Sequence, residues 1–180
     1  MAAPNKVVSD DPKLSIDQRA MVIKDCTIEG RVTIGAGTIV HPKAVIRALK
    51  GPIVIGENNI IEETAIIEND HEDDFVMTIG NDNVFEVGAI VRARSVGSHN
   101  VFQVRCEVGS ETVVTEGCSI GVACRVNHYG PLQDRFVIYG KLHERRIAGE
   151  NPQSQARQLE FLHKMLPRYH YHYVTKAAGN

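Results

Sequence analysis

Residues 79–126 read IGNDNVFEVGAIVRARSVGSHNVFQVRCEVGSETVVTEGCSIGVACRV, and the spacing within this stretch decides the fold. Large apolar residues stand at Ile79, Phe85 and Val91, at Val96, Phe102 and Val108, and at Val114, Ile120 and Val126. Each is six positions from the last, except that one residue is missing between Val91 and Val96. Glycine follows at Gly80, Gly97, Gly109 and Gly121, and a small residue sits four places beyond, as at Ala89, Cys106 and Cys118. A half-buried strand alternates with period two and an amphipathic helix repeats every 3.6 residues. Neither enforces a period of six over so long a stretch.

The same frame extends toward the N-terminus through Ile55, Ile61 and Ile67, and through Ile16, Val22, Ile28, Ile34, Val40 and Ile46. Each hexad reads as one short flat strand plus a corner, with its aliphatic residue pointing inward. Three hexads make one triangular coil, and coils stack at about 4.8 Å. Three extra residues fall between the hexads at Ile46 and Ile55, and six between those at Ile67 and Ile79. A further six-residue insertion is expected after Val126, with the frame resuming near Ile138. All four irregularities then share one corner of the triangle. The register stacks Asn59, Asn83 and Asn100 on one face, where amides can bond along the axis, and sets Phe85 over Phe102. No coil buries its core alone, so stability is a sum over neighbours and both ends need covering.

Composition agrees. The 180 residues are 43% hydrophobic and 6% aromatic with no Trp, which suits one domain with a narrow core. There are 21 Val and 17 Ile against 7 Leu, and four Leu lie beyond residue 140. β-branched residues favour strands and Leu favours helices, so a helical appendix should follow the β part. A formal charge of −2 argues against a general nucleic-acid binder. No membrane span or secretory signal is expected from the apolar stretches. The charge is uneven: residues 1–90 hold 8 basic and 15 acidic side chains, whereas 91–180 hold 12 and 7. Glu68, Asp70, Glu72, Asp73 and Asp74 crowd one inserted loop, and Arg145 and Arg146 precede the helix. Such a rod has an acidic and a basic end suited to electrostatic docking.

The expected organisation is a flexible N-terminus at 1–14, the solenoid at 15–140, a linker at 141–151, a helix at 152–167 and a flexible tail at 168–180. Asn151 and Pro152 supply an N-cap and first-turn signal, Leu159, Leu162, Met165 and Leu166 form an apolar stripe, and Pro167 reads as a stop. The helix is expected along a flat side of the prism.

The candidates for chemistry are few. Cys26, Cys106, Cys118 and Cys124 each fall on the small inward position of a hexad, without any C-x-x-C pair, and read as small core residues. A reduced setting follows by default. His41, His71 and His128 could each deprotonate an acceptor, but each reads as incidental. The Tyr169–Tyr173 run of alternating Tyr and His reads as a solvated tail. No phosphate-loop, dinucleotide or nucleophile-elbow string occurs.

The hexads resemble the hexapeptide-repeat left-handed β-helix family, which includes gamma-class carbonic anhydrases and hexapeptide acyltransferases. That resemblance implies an all-β solenoid, a left-handed parallel β-helix of about six to seven triangular coils, with a C-terminal α-helix packed along one side. Gamma-class enzymes hold their metal with three His, two of them in an H-x4-H spacing. His99 stands at the expected place here, but Val104 occupies the position of the second His. One imidazole cannot build an open metal site. No catalytic, cofactor-binding or metal-binding residue is therefore assigned.

Longer strings resemble the dynactin subunit 6 family more specifically. They are Gly51–Glu57 followed by Ile61-Glu62-Glu63, then Asn83–Gly88, Val137–Gly140, and Gln158–Leu162 running to Met165-Leu166-Pro167. The resemblance covers about residues 22–170, although the loop at 68–78 is shorter than in familiar members. It implies a non-enzymatic scaffold subunit of the dynein cofactor dynactin, in the cytoplasm and on the cytoskeleton. It also implies partners: the β-helical dynactin subunit 5, the pointed-end actin-related protein and the p62 subunit. The alternative is a homotrimeric enzyme of the carbonic-anhydrase or acyltransferase type.

Overall fold

Ile16, Ile34, Ile55, Ile79, Val96 and Val114 stack one above another through the parallel registers of successive coils. Val22, Val40, Ile61, Phe85, Phe102 and Ile120 do the same on a second face, and Ile28, Ile46, Ile67, Val91, Val108 and Val126 on a third. The three columns converge on one continuous core, in which Phe85 and Phe102 stack with centroids 4.7 Å apart and planes 10° apart. The computed structural model describes residues 6–8 and 13–174.

The chain is a parallel solenoid of about seven coils. Its first face is a seven-stranded sheet running from Leu14–Ile16 to Gly130–Pro131, and its third a six-stranded sheet from Thr27–Glu29 to Arg125–Val126. The second face has eight strands, because after Phe136–Tyr139 the chain turns back and pairs Glu144–Ile147 antiparallel to it.

Corners follow from backbone preference. The first corner repeats a left-handed residue at Gly37, Asn58, Asp82, His99, Gly117 and Arg135. Gly, Asn, Asp and His are the types that adopt this region most easily. The position four places beyond the first-face residue carries a buried polar column. Asn83 Nδ2 donates to Asn59 Oδ1 at 3.0 Å, and Asn100 Nδ2 to Asn83 Oδ1 at 3.0 Å. The column begins at Thr38, which accepts from the Asn59 N–H, and ends at the Cys118 N–H, which donates to Asn100 Oδ1 at 2.6 Å. Each amide thus satisfies its neighbours inside a dry corner.

Several expectations need correcting. No insertion follows Val126: Leu132 continues the frame as the inward residue of the last first-face coil, and Ile138 follows six later over Ile120. Three irregularities, not four, share the corner. The expected linker contains the Glu144–Ile147 strand. The helix, α1, spans Ala156–Tyr169 rather than 152–167, with Gln155 as N-cap and no side-chain cap bond. Pro167 lies inside its last turn, where it removes one N–H, and the His170 N–H still closes the turn on the Leu166 carbonyl.

The packing of α1 along a side is as expected. Leu159, Leu162 and Leu166 cover Met21, Ile23 and Ile39 on the second face, and His163 Nε2 lies 3.1 Å from the Gly37 carbonyl. The flexible segments expected at 1–14 and 168–180 fall partly outside the described residues. Within them, Lys6–Val8 pairs in parallel with His172–Val174, and Tyr173 packs on the first coil beside Cys26. The Tyr169–Tyr173 run is therefore not a solvated tail throughout, since His172 is buried.

Candidate functional site

The four candidate His side chains do not converge. His99 occupies the left-handed corner between the first and second faces, 3.9 Å from Asp82, whereas Val104 lies at the other end of the intervening strand Val101–Phe102. His41 Nδ1 lies 2.9 Å from Glu63 Oε1, and its Nε2 is buried without a hydrogen-bond partner among the described residues. Both ring nitrogens are thereby withheld from a substrate. Burial would push the Glu63 carboxyl up, but the His41 hydrogen bond and a backbone bond outweigh it and hold it below the usual range. His71 sits in the loop after Asn69, with Nε2 3.2 Å from the Ala93 carbonyl and its ring edge-on to Phe75. His128, which the corrected register places at a corner rather than in an insertion, exchanges backbone bonds with the Thr112 hydroxyl. Among the described residues no three His, Cys, Asp or Glu side chains are grouped to hold a metal ion.

The cysteines are core residues. Cys106, Cys118 and Cys124 are buried and Cys26 is partly so. Burial pushes the Cys26 and Cys106 thiols up to about 12 and raises those of Cys118 and Cys124. A thiol that does not ionise is a poor nucleophile and a poor metal ligand.

Paired carboxylates also resolve into structure. Glu62 Oε2 accepts from the Val87 N–H and Glu86 Oε2 from the Val104 N–H, each closing the corner of the next coil. Gln103 Oε1 repeats the device at the Val122 N–H. Burial, then the neighbouring Glu86, raises the Glu62 carboxyl against the Val87 bond.

The surface that remains is made of flat faces. The first face presents Ser15, Thr33, Val54, Thr78, Ser95, Val113 and Pro131, an uncharged column of small and β-branched side chains. The third face carries alternating charges. Glu29, Arg47, Glu68, Arg92, Glu107 and Arg125 form an unbroken ladder with contacts of 3.9, 3.3, 2.9, 3.6 and 3.1 Å. Burial would raise the Glu68 carboxyl, but bonds from Arg92 and Arg47 hold it below the usual range. The detectable signal was a charge beside the inward residue in successive coils of this face.

Glu68 belongs to the strand Ile66–Asn69 rather than to the inserted loop, and of the loop's own carboxylates Glu72 and Asp74 are paired. Arg94 binds Glu72 and lies over the Phe75 ring, and Arg31 binds Asp74 at 2.8 Å. Asn69 Nδ2 reaches the Gly51, Pro52 and Phe75 carbonyls at 3.0, 3.0 and 2.8 Å, which fastens both ends of the loop. Arg92 and Arg94 of the later coils thus offset part of the acidic excess expected at the first, while Asp70 and Asp73 stay exposed.

Known proteins resemble the chain at two levels. No family model matches. A hexapeptide transferase family protein from Anaplasma phagocytophilum superposes with a TM-score of 0.67 at 18% identity, covering 84% of this chain and 85% of that one. A UDP-N-acetylglucosamine acyltransferase from Francisella novicida gives 0.53 at 17%, covering 88% and 73%. At this identity the likeness shows the fold, a left-handed parallel β-helix. Closer in sequence are proteins named dynactin subunit 6. That of Danio rerio is 41% identical over 95% of this chain and 93% of its own length. That of Nematostella vectensis is 42% identical over 88% and 91%, and that of Xenopus tropicalis 44% over 84% and 80%. Identity at this level along nearly the whole chain, on a solenoid whose polar groups serve its own corners, shows that the chain belongs to the dynactin subunit 6 family.

Proposed function

We propose that the chain is a non-catalytic structural subunit within the pointed-end complex of dynactin, which supports dynein-dependent, microtubule-based cargo transport in the cytoplasm. The observation that carries this reading is its sequence likeness to dynactin subunit 6 proteins over most of their length. Its partners are the β-helical dynactin subunit 5, the pointed-end actin-related protein and the p62 subunit, and it needs no cofactor.

The geometry suits such a role. A stack of coils bonded to their neighbours has no hinge, so its faces stay flat and mutually fixed. An uncharged first face and a self-neutralised third face can lie against other proteins without stranding unpaired charge. The enzyme alternative draws on fold likeness alone, and fold does not imply function. No helix among the described residues is long and apolar enough to cross a membrane.

The test is affinity purification of the tagged full-length chain from cells. Co-purification of dynactin subunit 5, the pointed-end actin-related protein and p62 is expected. Recovery without any of them, with bound zinc and CO2 hydration, would overturn the proposal.

A further inference from the structure

We infer that the C-terminal end of the solenoid docks an acidic, extended segment of a different protein. That segment adds to the free edge of the Glu144–Ile147 strand and places an apolar side chain in the cavity beside it.

The two ends of the rod differ. The first coil is covered by His172–Val174, which pairs with Lys6–Val8, and Tyr173 packs on the core. At the other end, Gly130–Pro131, Arg125–Val126 and Glu144–Ile147 are the terminal strands of their sheets among the described residues. A cavity of about 330 Å³ opens there onto Val126, Leu132, Phe136 and Ile138, with His128 and Arg145 also lining it. This is at the lower end of the size of ligand pockets, roughly 300 Å³ and above. Exposed apolar side chains gather nearby: Tyr129 is 86% and Leu142 83% exposed, and Val122, Tyr139 and Ile147 are also open. Scattered singly they would mean little, but Tyr129 shares a recess with the cavity residue His128, and Val122 shares another with Tyr139, as an interaction surface would.

The three edges are not equivalent. Pro131 blunts the first-face edge, since proline has no N–H to donate. The third-face edge is two residues long and carries Arg125, which is already engaged by Glu107. Glu144–Ile147 has four exposed residues and no proline, the form that accepts an added strand.

Charge selects the occupant. Residues 125–147 carry Arg125, Arg135, Lys141, Arg145 and Arg146 against Asp134 and Glu144. Among the described residues no carboxylate forms a salt bridge with Lys141, Arg145 or Arg146. Arg145 lines the cavity, while Arg146 lies on the opposite side beside Val137 and Pro152. Successive residues of a strand face opposite ways, so an added strand bearing carboxylates on both faces meets an Arg on each. A second copy of this chain fits poorly, because Glu72 and Asp74 of its acidic loop are already paired and Asn69 fastens both ends of that loop, so it cannot extend as a strand.

The inference rests on membership of a larger assembly, not on placement at the pointed end. Its test uses the full-length tagged chain in cells, with a photo-reactive residue at Leu142 and mass spectrometry of the cross-linked peptide. Incorporation into dynactin is measured in parallel for wild type, for Arg145→Glu with Arg146→Glu, and for Arg157→Glu, an exposed charge reversal on α1 away from this end. The cross-linked peptide is expected to carry Asp or Glu around an apolar residue. The double reversal should abolish the cross-link and lower incorporation by about tenfold or more, since like charges are juxtaposed. Arg157→Glu should retain the cross-link. A cross-link to a neutral or basic peptide, to a second copy, or to nothing overturns the inference, as does its survival in the double reversal. The cross-link is read whether or not dynactin carries the chain, so absence of wild type from dynactin counts against the assembly reading alone.

Discussion

Arg92 Nε donates to Glu68 Oε1 at 2.9 Å, and this bond joins the two halves of a charge ladder that ties six coils together. Glu68 is nearly buried, so the pair matters more than the exposed rungs at either end.

Arg92→Ala should cost about 1–3 kcal/mol in urea unfolding, because it leaves a nearly buried carboxylate short of a charged donor. Its pH dependence has a defined sign. A carboxyl held below its unfolded value of 4.5 stabilises the fold above that value and loses the effect as pH falls through its folded value. Glu68→Gln should therefore be less stable than wild type at neutral pH and approach it in acid. A difference that does not shrink as pH falls would show that the ladder carries no such linkage.

The Asn column makes a sharper demand. Asn83 donates to Asn59 and to the Gly97 carbonyl, and accepts from both the backbone and the side chain of Asn100. Asn83→Ala leaves several buried groups unpaired at about 1–3 kcal/mol each, so a loss of at least about 2 kcal/mol is expected. Thermal unfolding checks this; an unchanged midpoint would mean that water replaces the amide.

Thiol accessibility separates core cysteines from a reactive site. In the native protein at neutral pH, Cys106, Cys118 and Cys124 should resist alkylation, and Cys26, the one not fully buried, should react first. All four should label in denaturant. Rapid native labelling of Cys106, whose thiol burial pushes up to about 12, would contradict the packing described.

Leu162 lies in the stripe that fastens α1 to Met21, Ile23 and Ile39. Leu162→Asp should cost about 1–3 kcal/mol of apolar contact. Amide exchange should accelerate in Ala156–Tyr169 and in the strands beneath, while the later coils stay protected. Uniform acceleration along the whole solenoid would show that the helix is integral to every coil.

The solenoid, its register and the Asn and Phe stacks were legible because a period of six has no competing local explanation. Leu132 escaped because Gly130-Pro131 imitates a loop signal, although the frame runs through it unbroken. The end of α1 was misplaced because Pro167 removes only one N–H, that toward residue 163, and the His170 N–H still closes the last turn on the Leu166 carbonyl. The Lys6–Val8 and His172–Val174 pair joins two three-residue strands from opposite ends of the chain, a contact that no local pattern encodes. The ladder was hidden for a different reason: its charges alternate only once the coils are stacked, and along the chain they read as separate surface residues.

The central claim, a scaffold subunit rather than a trimeric enzyme, is tested most directly by native mass spectrometry of the assembly isolated through the tagged chain. A heteromeric dynactin particle containing the chain is the predicted result. A homotrimer of this chain, free of other dynactin subunits, would contradict it.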